Sequence, residues 1–222
     1  MNLNKSRDYF DPDKLGDRTI HIIGCGAVGS TLAETLTRMG IKNLTLWDDD
    51  IVSAHNIANQ NFFHNDIGAS KVEQVAKLIK EINPEATPTL RKEKYKQQPL
   101  SGFVCLCVDN IDTRRAIVEQ HLNNPYIKLM MDFRMRLTDA QHYAADWSIK
   151  EDRENFLSTM QFSHEEAQSV TPVSACGTTL NVVTTVKVIV SLGVANLVRF
   201  VLHGKAHKMI LMNLDDITVD AM

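Results

Sequence analysis

An excess of basic charge is missing from this chain. Its 24 Lys and Arg stand against 27 Asp and Glu, a formal charge of −3. No basic field is left to hold nucleic acid, and no like-charge run forms a tail. Internal repeats and low-complexity tracts are missing too. The first residues, Met1 to Asp8, contain no apolar signal core, so cytoplasmic residence is expected. Cysteine is scarce: Cys25, Cys105, Cys107 and Cys176. No C-x-x-C pair exists, so a four-thiolate zinc site cannot be built, and Cys105 and Cys107 inside one apolar run make no disulfide framework. One stretch, residues 180–202, is long and apolar enough to span a bilayer. It carries Lys187 near its middle, with Asn181, Asn196 and Arg199 besides, and a central lysine is costly in lipid. A helix buried in the fold, or against a second subunit, is expected instead, with no membrane partner.

What is present centres on Gly24, Gly26 and Gly29, spaced G-x-G-x-x-G after an apolar run and before a helical pattern over residues 31–39. The first glycine permits a tight turn, the second lets a phosphate approach the backbone, and the third lets helix and strand pack closely. The free N–H groups of Ala27, Val28 and Gly29, at the positive end of that helix, then face the anion. Asp48 ends the next apolar run, where an acid binds a ribose 2′-hydroxyl. A glycine turn serving only helix–strand packing is the simpler alternative.

Further along, residues 49–70 read as a loop with short helical turns. An amphipathic helix follows, with Val72, Val75, Leu78, Ile79 and Ile82 on one face, ended by Asn83 and Pro84. Residues 87–92 are a third strand. Residues 103–108 are continuously apolar, as a buried parallel strand should be. Residues 127–131 and 140–147 give two more strands, and residues 209–212 a last one. The expected fold is α/β, a Rossmann-like nucleotide-binding domain with a mostly parallel central sheet and an antiparallel C-terminal extension. It is one domain over 1–222, with 1–17 as an arm and 148–178 as a long loop. Ligands of open α/β sheets sit beyond the carboxyl ends of the strands, so Gly24, Asp48 and Asp109 should converge.

Taken as a set, these residues resemble the ThiF/MoeB/HesA family, bacterial relatives of the E1 ubiquitin-activating enzymes. The resemblance is strongest over residues 18–118. Gly24 to Gly29 resembles its phosphate loop. Asp48, Asp50 and Val52, then Asn56 and Gln60, are similar to its D-x-D-x-V…N-x-x-R-Q signature. Asp66, Gly68 and Lys71 resemble D-x-G-x-x-K, and Asp109 and Asn110 with Arg114 resemble its D-N…R element. The resemblance implies adenylation of the carboxyl terminus of a ubiquitin-like or sulfur-carrier protein or peptide, with ATP and Mg²⁺ as cofactors and a homodimer as the assembly. A carboxylate is already ionised at neutral pH, so the barrier is mainly charge repulsion, and cations and fixed donors must meet the phosphates. Lys71 then supplies a mobile charge and Asp109 holds Mg²⁺. Asp48 binds ribose, Asp50 reaches ATP or orders its loop, and Asn56, Gln60 and Asn110 shape the phosphate side. Lys71 also starts a helix, where the dipole disfavours a cation. Asp109 has capping as its alternative role, and Arg114 an internal ion pair. Trp47, Phe62 and Phe63 are expected in the core.

The chain also departs from that pattern. Asn59 stands where the signature has arginine, with Arg7 or Arg18 as possible replacements, and the zinc cysteine pairs of many relatives are missing. A catalytically silent partner of an active subunit is therefore a rival reading, and an NAD-dependent oxidoreductase, using the same glycines and Asp48, is another. Cys176 precedes the long helix. It is read either as a thiol that accepts an activated acyl group or sulfur, or as a small buried residue.

Overall fold

The computed structural model describes residues 1–169, 171 and 182–222. One eight-stranded sheet runs through the molecule. Its strands are β1 (Ile20–Ile23), β2 (Leu44–Trp47), β3 (Thr89–Arg91), β4 (Gly102–Leu106), β5 (Ile127–Met135), β6 (Asp139–Asp146), β7 (Met209–Asn213) and β8 (Thr218–Ala221). Their spatial order is β3-β2-β1-β4-β5-β6-β7-β8. Pairing from β3 across to β5 is parallel, and β6, β7 and β8 continue antiparallel. The expected fold class is thus observed.

The helices are α1 (Ala27–Arg38), α2 (Lys71–Ile82), α3 (Ile111–His121), α4 (Lys150–Ser158), α5 (His164–Ser169) and α6 (Val183–His203). β1, β2 and β4 are buried at every position, as continuous apolar runs demand when both faces are covered. One face packs against Leu32 and Leu36 of α1, Val72, Val75 and Ile79 of α2, and Ile189, Val190 and Leu197 of α6. The other packs against Ile111, Ile117 and Val118 of α3 and Phe156 of α4.

Several sequence expectations change. Residues 148–178, read as a long loop with at most a short helix, contain two helices among the described residues, α4 and α5. Glu151 and Asp152 in the first turn of α4 suit its dipole, and Phe156 anchors it against Trp147. The arm over 1–17 is fastened by Phe10 and Leu15, both buried. β5 runs four residues further than expected, to Met135, and β8 was not anticipated. Phe63 is exposed, whereas Trp47 and Phe62 are core.

α6 has the length and composition to cross a membrane, and half of its most apolar window is buried inside the molecule. Its exposed positions are Val183 at the start, then Thr184, Lys187, Ser191, Ala195, Arg199 and His203, mostly polar or small. The chain itself thus covers part of the apolar surface of α6, and Val188, Leu192, Phe200, Val201 and Leu202 are only partly buried. Lys187, the residue that argued against lipid, pairs with Glu34 at 3.7 Å.

Candidate active site

The chain leaves β1 for β2 and β3 on one side, then returns to place β4 on the other. This makes a topological switch point between β1 and β4. Gly24 lies there with φ +97°, a conformation that favours glycine, and a Cβ on it would stand 2.8 Å from the Cys107 carbonyl. A Cβ on Gly29 would sit 1.8 Å from the Gly24 carbonyl oxygen, so α1 packs against the turn only because that atom is absent. Gly26 differs. The nearest atoms to a Cβ there are the Gln60 amide atoms, at 4.0 Å. Among the described residues no side chain caps α1, and its first backbone bond runs from Ser30 N–H to the Gly26 carbonyl at 2.9 Å. The N–H groups of Ala27, Val28 and Gly29 therefore open onto the space beside Gly26, an arrangement suited to an anion. Gln60 Oε1 is buried there without a hydrogen-bond partner among the described residues.

Strand ends bring the other groups to the same edge. Asp48 Oδ2 accepts the Cys25 N–H at 2.6 Å and Oδ1 accepts the Asp50 N–H at 2.8 Å. Burial pushes the Asp48 carboxyl above its usual range, while those two N–H groups and the Lys71 charge pull it back. Asp48 thus braces the glycine turn from β2, a role its spacing did not reveal. Lys71 opens α2 and is buried, and its Nζ stands 2.8 Å from Asp50 Oδ2. That ion pair answers the dipole's objection to a cation at a helix start. Asp50 itself is 61% exposed at its side chain.

Asp109 follows β4, exposed and without a hydrogen bond or ion pair among the described residues. Capping is not its role. Asn110 caps α3, its side-chain oxygen accepting the Thr113 N–H at 2.9 Å. That bond engages the Asn110 oxygen and fixes the side chain at the start of α3. Asn56 is turned inward: it is buried, and its Oδ1 accepts the Ser53 N–H at 2.8 Å, closing the turn that precedes Gln60. Arg114 is buried in an internal ion pair. It donates to Asp132, to the Phe133 carbonyl at 2.8 Å and to the Val108 carbonyl, and Arg134 grips the other Asp132 oxygen at 2.6 Å. A ligand role for Arg114 is thereby removed. Within this chain, neither suggested replacement for the missing arginine reaches the glycine turn. Arg18 precedes β1 and donates to the Leu15 carbonyl, and Arg7 pairs with Asp11 and Asp13. Asn59 ends the turn with its N–H on the Asn56 carbonyl. Cys176 lies outside the described residues.

A parallel sheet with an uncapped helix start, an acid at the end of β2 and a free carboxylate after β4 defines a Rossmann-type nucleotide-binding architecture. The ThiF family model matches residues 7–220, and the chain belongs to the ThiF family, within the ThiF/E1-like superfamily. Ubiquitin-like modifier-activating enzyme 5 of Drosophila mojavensis is 34% identical over 136 residues, covering 53% of this chain and 34% of that protein. The Bombyx mori enzyme of the same name is 33% identical over 122 residues, 47% of this chain and 31% of that one. The chain thus spans about a third of the length of these relatives. Among solved structures, E. coli MccB with ATP superposes with a TM-score of 0.71 at 17% identity, covering 95% of this chain and 65% of that one. MccB with AMPCPP and MccA gives 0.72 at 17% identity, over 95% and 65%. PaaA gives 0.70 at 16% identity, again over 95% and 65%. At these identities the likeness is one of fold.

Proposed function

We propose that this chain binds ATP with Mg²⁺ and adenylates the carboxyl terminus of a ubiquitin-like or sulfur-carrier protein or of a peptide. The observation that carries this is the open, uncapped start of α1 beside Gly26, roofed by the Gln60 amide and flanked by Lys71 and Asp109. The likeness to activating enzymes, and to a protein solved with ATP, supports it.

The chemistry follows from those groups. A carboxylate oxygen of the acceptor attacks the α-phosphorus. An acyl-adenylate bond forms, the bond to the bridging oxygen breaks, and pyrophosphate leaves with the electron pair. No base is needed. N–H groups of Ala27, Val28 and Gly29 and the Gln60 amide receive phosphate charge already oriented, so nothing reorganises as the charge shifts. Lys71 reaches the phosphates by exchanging its Asp50 partner, and Asp50 is exposed enough to turn to water. Asp109, a hard oxygen donor with no competing partner among the described residues, suits Mg²⁺, whose chemistry is to neutralise phosphate charge.

Pyrophosphate exchange into ATP, with and without candidate carriers, tests this. Lys71→Ala and Asp109→Asn should each slow exchange about a hundredfold or more, the cost of one preorganised electrostatic partner. Asp109→Asn should also blunt the magnesium dependence. Exchange unchanged in both variants would defeat the mechanism. ATP binding without exchange in the parent would favour the silent partner, and tight NAD binding without an ATP response the oxidoreductase.

A further inference from the structure

Asn61 joins three elements that lie far apart in sequence. Its backbone N–H donates to Ser30 Oγ at 3.0 Å. Its amide nitrogen donates to the Ser30 carbonyl at 3.4 Å and to Glu34 Oε2. Its amide oxygen accepts from Lys187 Nζ, on α6, at 2.8 Å. Lys187 also lies 3.7 Å from Glu34. Ser30 is fully buried and closes the first turn of α1, one residue after the last glycine of the phosphate loop. Every polar atom of the Asn61 side chain is engaged.

The neighbour of Asn61 is Gln60, whose amide stands over Gly26. Gln60 holds its own turn through its N–H on the Asn56 carbonyl and its carbonyl under the Phe62 N–H, both at 2.9 Å. Those bonds shape the turn and do not tie it to α1. The tie is made next door, by Asn61 on Ser30 and Glu34.

We propose that Asn61, braced by Glu34 and Lys187, is a positioning residue that fixes Gln60 over the phosphate loop and so sets the affinity for the triphosphate. This rests on the ATP reading above. An amide is the group the position requires: its nitrogen has two N–H donors for Glu34 and the Ser30 carbonyl, and its oxygen accepts from Lys187. Aspartate would keep the lysine and set a second carboxylate against Glu34.

ATP titration calorimetry on the full chain reads the effect. Asn61→Ala and Asn61→Asp should each weaken ATP binding about tenfold, and Lys187→Ala, at a half-exposed site, about two- to fivefold. The deciding measurement is a double-mutant cycle. If Asn61 acts through Gln60, the Asn61→Ala/Gln60→Ala pair binds ATP no more weakly than Gln60→Ala alone. A structural role would leave the two losses multiplying, and that result overturns the proposal, as does an Asn61→Ala variant with the parent affinity. Should Asn61→Ala fail to fold, Lys187→Ala in the Gln60→Ala background decides by the same rule. A parent that binds no ATP removes both readings. A parent that binds it, with affinity unmoved by Asn61, removes only this one.

Discussion

His142 shows how completely one side chain is specified here. It is fully buried on β6, with its Nδ1 3.2 Å from the Asp132 carbonyl and its Nε2 3.1 Å from the Asn196 amide nitrogen. The carbonyl can only accept, so Nδ1 carries the proton and Nε2 accepts from Asn196. Asn196 cannot turn its amide round, because its oxygen accepts the His207 N–H at 2.7 Å and its nitrogen donates to the His207 carbonyl at 2.9 Å. Burial pushes this imidazole down from 6.5 to about 4, with the Asp132 carbonyl and charge pulling weakly the other way. The folded value lies below the unfolded one. Between pH 6.5 and 4 the unfolded chain therefore holds a proton that the folded chain refuses, and stability falls as pH falls through that window. From pH 7 to 5 the loss from this residue is about 2 kcal/mol. Urea unfolding at both pH values should show it, and His142→Gln, less stable at pH 7, should show a smaller drop. An equal drop in the variant would place the acid sensitivity elsewhere, at His21 for instance, which burial also lowers to about 4.

At the scale of elements, α6 is pressed against the sheet at Gly193. A Cβ there would stand 2.2 Å from Phe133 Cε1 and 3.3 Å from His142 Nδ1. Alanine normally favours a helix by about 1 kcal/mol over glycine. Here the buried Phe133 ring has nowhere to move, and overpacking costs about 1–3 kcal/mol. Gly193→Ala should thus lower the thermal midpoint, while Ser191→Ala on the exposed face should leave it nearly unchanged. An alanine that raised the midpoint would show the ring can yield. Elements were also where the sequence spoke most clearly. The runs at Leu44–Trp47 and 103–108, the glycine spacing and the apolar face of α2 each follow from a period or a close approach that residue types record locally. The length of β5, the presence of β8 and the helices α4 and α5 depend on partners distant in sequence, and no local period marks them. The site was legible to the same extent. Gly24, Asp48 and Asp109 follow strand ends that topology alone carries to one edge, and Lys71 joins them from the start of α2 through Asp50. The inward turns of Asn56 and Arg114, the cap made by Asn110, and the tie from Asn61 to Ser30 are side-chain choices made in three dimensions.

Across the whole molecule, the sheet is assembled from two kinds of neighbour. β5 and β6 meet through a tight turn, pairing Met135 with Ala140 and so on to Leu129 with Asp146. β1 and β4 pair Ile20 with Phe103 only after β2, α2 and β3 have been set aside in between. Closing the longer loop has the greater entropic cost, and non-local pairing slows folding. Pulse-labelled hydrogen exchange during refolding should therefore protect the β5–β6 amides before those of Ile20–Ile23, and simultaneous protection would contradict this. The order has a chemical sequel. Gly24 takes its place against Cys107 only when β1 and β4 are side by side, so in that order of events the loop at Gly24 would be among the last parts of the molecule to form. Nucleotide added at the start of refolding would find nothing to hold until that late step. It would then act as a latch on the finished fold, slowing its loss without hastening its birth.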